Sequence, residues 1–364
     1  MSSFAERSVG FATSGLIGCL VLAGACSASS KGSLVLAIST DMQTPKDIDV
    51  ISLFVSEGTA VKFDYLAHVL PEGNLALPAT LALVEPDDPS TSIQIRIIGF
   101  RQQTARVLRD IQTSVPHQRT SLLRVPLDFI DDGSGSGTIP DKDFPTATDG
   151  VAEGLSSFDP TVIASTCDPM KLCQVPGAVC NTTVDGACAS AIVDSALLPA
   201  YAPQEVYGGD GGVLASGAPE SCFDVETCFA GAMPMTAITL TACFFPFPGG
   251  ASPDTLNVGL VTPSIGACLG PGECYVPLPV DPSEGWTLQG STVQLAPGVC
   301  SQLGNGVTVV VSAGTCGTLT LSQPVCEPTG PDAATSAPEA ASPEGGALDD
   351  AEPPEEAGAD AGGG

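Results

Sequence analysis

The sequence predicts an all-β fold in two successive parts, and three observations point there. Apolar and polar residues alternate at period two through residues 33–131; twelve of the 14 cysteines crowd into residues 167–326; and 41 Gly and 32 Pro break the chain into short segments. Alternation at period two sets one strand face on a core and the other in water. A helix would repeat its apolar residues three and four apart.

In chain order, "SLVLAIS", "VISLFVSE" and "AVKFDYLAHV" read as the first strands. Leu75, Leu77, Ala79, Leu81 and Leu83 form the next alternating run, and Ile93, Ile95 and Ile97 alternate with Gln94 and Arg96. "ARVLRDIQTSV" follows, and then Leu123, Val125, Leu127 and Phe129 alternate with Arg124, Pro126 and Asp128. With "TPKD", "PEGN", "EPDDPS" and "RQQT" as turns, about seven strands in a hundred residues predict a two-sheet sandwich over 33–131. Eight of the twelve Lys and Arg sit here, mostly at polar-face positions, and are expected to be solvated.

Residues 132–159 lose the alternation and gain Gly, Ser, Asp and Pro, the composition of a linker or long loop. Its acids lack the alternate-position order, closed by Glu, of a calcium loop. Residues 160–327 form the cysteine-rich β region. "TCDPMKLCQVPGAVCNTTVDGAC" predicts a small stapled knot, while "AITLTACFFPF", "LNVGLVT", "STVQLA" and "GVTVVVSAGTCGTLTLS" predict strands of a second antiparallel sandwich or barrel. The last segment, 328–364, has nine acids, no base and no aromatic residue, so it is expected to be a disordered acidic tail.

The address is written in residues 1–32. Val9 to Ala25 is shorter and weaker than the run of about 20 apolar residues a spanning helix needs, so residues 1–25 read as a signal peptide. Ala23-Gly24-Ala25 offers small residues for cleavage before Cys26, and Leu22-Ala23-Gly24-Ala25-Cys26 resembles the lipobox of bacterial lipoproteins. That resemblance implies acylation of the Cys26 thiol and a tether over 26–32; Leu16-Ile17-Gly18-Cys19 is a second match that falls too early in the leader. Two or three acyl chains, at about 0.8 kcal/mol per buried methylene, would anchor the chain stably. The expected location is the bacterial outer membrane or cell surface, with secreted or periplasmic release as the alternative.

Twelve cysteines past the leader, an even number in an exported chain, predict up to six disulfides among Cys167, Cys173, Cys180, Cys188, Cys222, Cys228, Cys243, Cys268, Cys274, Cys300, Cys316 and Cys326. Spacing leaves their connectivity open. Zinc wants ligand pairs two to four residues apart; no C-x-x-C occurs, and the two histidines, His68 and His117, lie outside this region. No metal and no cofactor are expected. The formal charge of −29, with no Lys or Arg after Lys171, repels phosphate backbones, so no nucleic acid is expected.

No G-x-S-x-G elbow, H-E-x-x-H or P-loop appears. Trp286, the only Trp, stands in the Gly-flanked "SEGWTLQG" and is either a sugar-stacking ligand contact or a core anchor. The stretches "TPKDIDVISLFVS", "LPATLALV", "TSLLRVPLDF", "CFDVETCF" and "CYVPL" with the later "GW" resemble cell-surface lipoproteins of myxobacterial type. That likeness implies a lipidated leader, a β-sandwich and a cysteine-patterned region over about residues 33 to 326, with no activity attached. By strand pattern the sandwich is similar to prealbumin or immunoglobulin-like modules.

The function expected is that of a noncatalytic, membrane-anchored structural or binding module, not an enzyme, with a protein or polysaccharide partner at the cell surface. Two alternatives stand beside it: a glycan or cell-wall binding module in 160–327, and a secreted hydrolase that works with carboxylates alone.

Overall fold

The structure, a computed structural model, describes residues 31–69, 75–145, 158–167, 180–213, 219, 221–235, 243–246, 253–304, 306–313 and 316–326. The leader with Cys19 and Cys26, the "PEGN" turn, the later part of the expected linker, Cys173, the side chain of Cys180 and the tail 328–364 lie outside these residues.

The fold is all-β. Its first seven strands are β1 (Ser33–Ser39), β2 (Val50–Glu57), β3 (Ala60–His68), β4 (Ala79–Val84), β5 (Ser92–Arg101), β6 (Thr104–Ser114) and β7 (Thr120–Pro126). They make an antiparallel sheet in the order β3-β2-β5-β6 and a second sheet β4-β1-β7, in which β1 runs antiparallel to β4 and parallel to β7. The period-two residues meet between the sheets: Leu34 and Leu36, Leu53 and Val55, Ile95 and Ile97, and Leu123 and Val125 belong to one buried cluster.

The outer face of the four-stranded sheet is also apolar at one end. Residues 132–145, the first part of the expected linker, pack there around β8 (Gly135–Ser136), which pairs with β9 (Ala164–Ser165). Ile139, Phe158 and Ile163 bury Ile98, Phe100 and Leu108, and the Phe100 and Phe158 rings meet edge to face at 5.9 Å. The other end of the same face is polar.

Next come the hairpin β10 (Cys180–Val184) and β11 (Ala187–Ser190), and the short helices α1 (Gln204–Tyr207) and α2 (Val225–Phe229). The strands β12 (Met233–Pro234), β13 (Phe244–Pro246), β14 (Leu256–Thr262), β15 (Ala267–Gly270), β16 (Glu273–Leu278), β17 (Trp286–Gln289), β18 (Thr292–Leu295) and β19 (Thr308–Ala313) follow, with α3 (Pro297–Ser301) before the last. They form the antiparallel sheets β12-β19-β14-β16-β15 and β13-β18-β17.

Alternation again decides the faces. Leu256, Val258 and Leu260 of β14, with Val276, Leu278, Val309 and Val311, share a cluster with Trp286, Val293 and Leu295 of the smaller sheet. On the opposite face Val310 and Ala267 lie under α2, whose Val225 and Phe229, with Phe223 just before the helix, seal that side. Asp224 starts α2 by accepting the Thr227 N–H at 3.2 Å, a side-chain N-cap. Gly259 makes room for Phe229: a Cβ there would lie 2.8 Å from the ring.

The apolar cluster runs without a break from the first half into the second. Several segments also cross. Gln112 donates to Ala191 O (2.7 Å) and Leu122 to Pro199 O (2.9 Å), so the chain after β11 covers the free edges of β6 and β7. Buried Asp47 accepts the Gly266 N–H at 2.7 Å, and Lys46 donates to Ser264 O at 2.5 Å. Gly186 and Gly298 let the β10–β11 turn touch α3; a Cβ on Gly298 would fall 1.9 Å from Asp185 O.

Candidate functional site

Where the two halves meet, a cleft opens beside the carboxyl ends of β1 and β7. Because these two strands are parallel neighbours, the segments that follow them leave side by side. Asp41 and Asp128 therefore stand together although 87 residues separate them. The Asp41 N–H donates to Asp128 Oδ1 at 3.2 Å, Asp41 Oδ1 accepts the Phe129 N–H at 2.7 Å, and the Thr40 hydroxyl donates to Leu127 O at 2.7 Å. The turn before β17 adds Glu284 from the second half.

A strap, residues 319–326, forms the opposite wall. It is tied to the body by the Cys222–Cys326 disulfide, by the Phe223 N–H donating to Pro324 O at 2.7 Å, and by Arg124 donating to Leu321 O at 3.1 Å. The cavity enclosed is about 70 Å³, with Pro126, Pro277 and Pro279 among its lining residues. A smaller pocket of about 40 Å³ shares Asp41, Pro78 and Val325 with it, so the two form one groove.

The carboxyls of this region titrate late. Burial pushes Asp41 up to about 7 against the opposing Phe129 N–H, and neighbouring Asp131 and Asp47 add to the rise. Burial, then the nearby charges of Asp41 and Glu284, raises Asp128 well above the usual carboxylate range. Glu284 is lifted to about 7 by burial and by Asp185 and Asp281. Asp131, behind the cleft, rises to about 6 through burial and is held down by Arg109. Groups of this kind exchange protons near neutrality and can act as acid and base. Among the described residues no three His, Cys, Asp or Glu side chains converge so as to hold a metal.

The residues singled out in the sequence fall elsewhere. Trp286 is 1 % exposed, its Nε1–H donates to Leu278 O at 3.1 Å, and its ring belongs to the core. As a ligand contact it is therefore corrected to a core anchor: its side chain is buried in the cluster that the two sheets of the second half share. Among the described residues ten cysteines are paired, as 167–188, 222–326, 228–316, 243–300 and 268–274. The His68 ring bonds Pro145 O at 2.8 Å and meets Phe144 edge-on, while His117 pairs with Glu85.

For four basic residues of the first half the expectation of solvation is also corrected, while Lys62, Arg101 and Arg119 are exposed as expected. Arg96 and Arg106 form two-pronged pairs with Asp110 and Asp132, Arg109 is buried against Asp131 at 3.5 Å, and Arg124 bonds Glu205 at 2.7 Å. Arg109 is buried and the other three are half-buried because segments from beyond residue 126 pack over the sheet faces and edges on which they lie. Asp41, Asp128 and Glu284 were missed, since three acids so far apart carry no spacing signal in a chain with 41 Asp and Glu.

Comparison with known protein families, with curated proteins and with solved structures finds no match to this chain.

Proposed function

We propose that this chain is a noncatalytic module displayed at the bacterial outer membrane or cell surface, held there by lipid on Cys26. The observation that carries the reading is the cysteine chemistry. Five disulfides form among the described residues, and disulfides of this density are characteristic of oxidising compartments. A signal-like leader ending on a lipobox cysteine provides the route to such a compartment and a means of staying there. The likeness to myxobacterial surface lipoproteins points the same way but adds no weight, since the comparisons return no relative.

Intact-mass measurement of the native protein tests the anchor. A mature chain that begins at Cys26 and carries diacylglyceryl mass is expected, and Cys26→Ala should release the protein from the envelope. A mature chain without acyl mass, or a Cys26→Ala protein that stays in the membrane fraction, overturns the reading.

A second reading, a carboxylate-dependent hydrolase, is favoured by one observation: Asp41, Asp128 and Glu284 line a single cavity, Asp41 and Glu284 lifted by burial to about 7 and Asp128 raised well above the usual carboxylate range. Against it, Asp41 and Asp128 already bind backbone N–H groups that tie β1 to β7, and about 70 Å³ leaves little room for substrate. Hydrolysis of 4-nitrophenyl glycosides or esters at pH 6, lost in Glu284→Gln, would establish this second reading in place of the first.

A further inference from the structure

The polar end of the outer face of β2, β5 and β6 is a built cup. Register places Phe54 opposite Arg96 and Arg96 opposite Asp110, with Ser56, Gln94 and Gln112 in the next row. Successive side chains alternate between faces. Since Val55, Ile95 and Ile111 point into the core, Phe54, Gln94, Arg96, Asp110 and Gln112 point away from it. With Thr161 they line a cavity of about 300 Å³, at the small end of the range for small-molecule sites.

Its walls are fixed in advance of any ligand. Arg96 Nε and Nη2 hold both oxygens of Asp110 at 2.6 and 2.8 Å, and Nη1 donates to Pro160 O and Ile163 O at 2.9 and 3.2 Å. Four of the five guanidinium N–H groups are thus engaged and its charge is matched by Asp110, so the cup presents no unmatched cation to an anion. Gln112 is held through its backbone by Ala191 and Val193 and through its amide by Ser92 at 3.2 Å. Gln94 is exposed and Phe54 half-buried, so an amide and an aromatic face remain open to solvent.

We propose that this cup binds one residue of a neutral glycan, with a pyranose ring stacked on Phe54. An aromatic face carries partial negative charge and an apolar body, which suits the C–H face of a sugar ring. Amide side chains both donate and accept, as hydroxyl groups require. The net charge of −29 repels polyanionic polysaccharides, which leaves neutral ones. The site lies in the first sandwich, away from Trp286, and it rests on the reading of the chain as a surface binding module.

The test uses the mature chain with Cys26→Ser, which keeps it in solution. Cellotetraose, maltotetraose and tetra-N-acetylchitotetraose are offered at millimolar concentration and followed by saturation-transfer NMR and calorimetry. At least one should bind with a dissociation constant on the order of 0.1–1 mM, the range of about −4 to −5.5 kcal/mol. Phe54→Ala should weaken that binding at least tenfold, and Phe54→Tyr should retain it. Gln94→Ala, at an exposed position, should weaken it severalfold with an unchanged melting curve. No saturation transfer from any of the three sugars, or equal affinity in wild type, Phe54→Ala and Gln94→Ala, overturns the proposal. Acyl mass on native Cys26 is read separately, so the cup can fail while the anchor stands, and the reverse. Cleavage of a bound sugar would instead refute the noncatalytic reading.

Discussion

Replacing Glu284 by Gln should stabilise the protein, by an amount that grows from nothing near pH 4.5 to its full value near pH 7. The Glu284 carboxyl is held at about 7 rather than its ordinary 4.5, chiefly by burial and then by the charges of Asp185 and Asp281. At about 1.4 kcal/mol per tenfold change in proton affinity, that difference amounts to about 3 kcal/mol against the ionised form. Partial exposure of the side chain to the cleft screens it, leaving about 1–2 kcal/mol. The sign follows from which state holds the proton more tightly. The folded carboxyl does, so the folded state is penalised fully above about 7 and not at all below about 4.5. Equilibrium unfolding in guanidinium at pH 8.0 should therefore show Glu284→Gln more stable than wild type by about 1–2 kcal/mol. At pH 4.5 the two should coincide. An equal change at both pH values, or a loss of stability at pH 8.0, would refute the electrostatic account and make Glu284 a packing or hydrogen-bonding residue instead.

The same sign applies to Asp41, Asp64 and Asp131, all raised by burial, so wild-type stability should fall as pH rises from about 4 to about 7; below about 4 the depressed carboxyls Asp159 and Asp224 act in the opposite sense, and a thermal-melt series that keeps rising from pH 4 to pH 8 would contradict the first statement. Asp131→Ala leaves Arg109, 7 % exposed, buried without its counter-charge, and should cost about 3–5 kcal/mol; combining it with Arg109→Met should recover most of that loss in urea titrations, and no recovery would dismiss the pair as the cause. Trp286→Ala should cost about 3–5 kcal/mol as a core deletion, read as a lower denaturation midpoint; a variant of unchanged stability would put the ring outside the core. Cys222→Ala with Cys326→Ala opens a crosslink spanning 104 residues and should cost about 2–4 kcal/mol, with thermolysin cutting near Leu319 and Leu321 while the body stays intact; an uncut strap would show that Arg124 and Phe223 hold it unaided.

Strand identity was legible because it is local. "SLVLAIS" and "VISLFVSE" are β1 and β2 residue for residue, and "LNVGLVT" is β14, since side chains two apart on an extended chain share a face whatever the chain does later. The polar row of β5 was equally visible as Gln94 and Arg96 between isoleucines. Their partners were not. Arg96 meets Asp110 across a hairpin and then Pro160 O, and the second contact depends on where the chain returns after the linker. Trp286 shows the same limit: flanking glycines mark a turn, and only the packing of β17 against β16 and β18 decides which way the ring faces.

By itself, the sequence determined the all-β class, the strands of the first sandwich, the oxidised state expected of the cysteines and the acidic character of the surface. Each of these follows from composition or from residues within a few positions of one another. The tertiary structure alone decided which cysteines pair, that the halves share one apolar cluster, and that Asp41, Asp128 and Glu284 meet at one cleft. Those contacts join residues tens to hundreds of positions apart, brought together by the parallel pairing of β1 with β7 and by the path of the chain across them. Such encounters depend on the whole folded chain, because solvent exclusion is a property of surfaces that exist only after the sheets have packed.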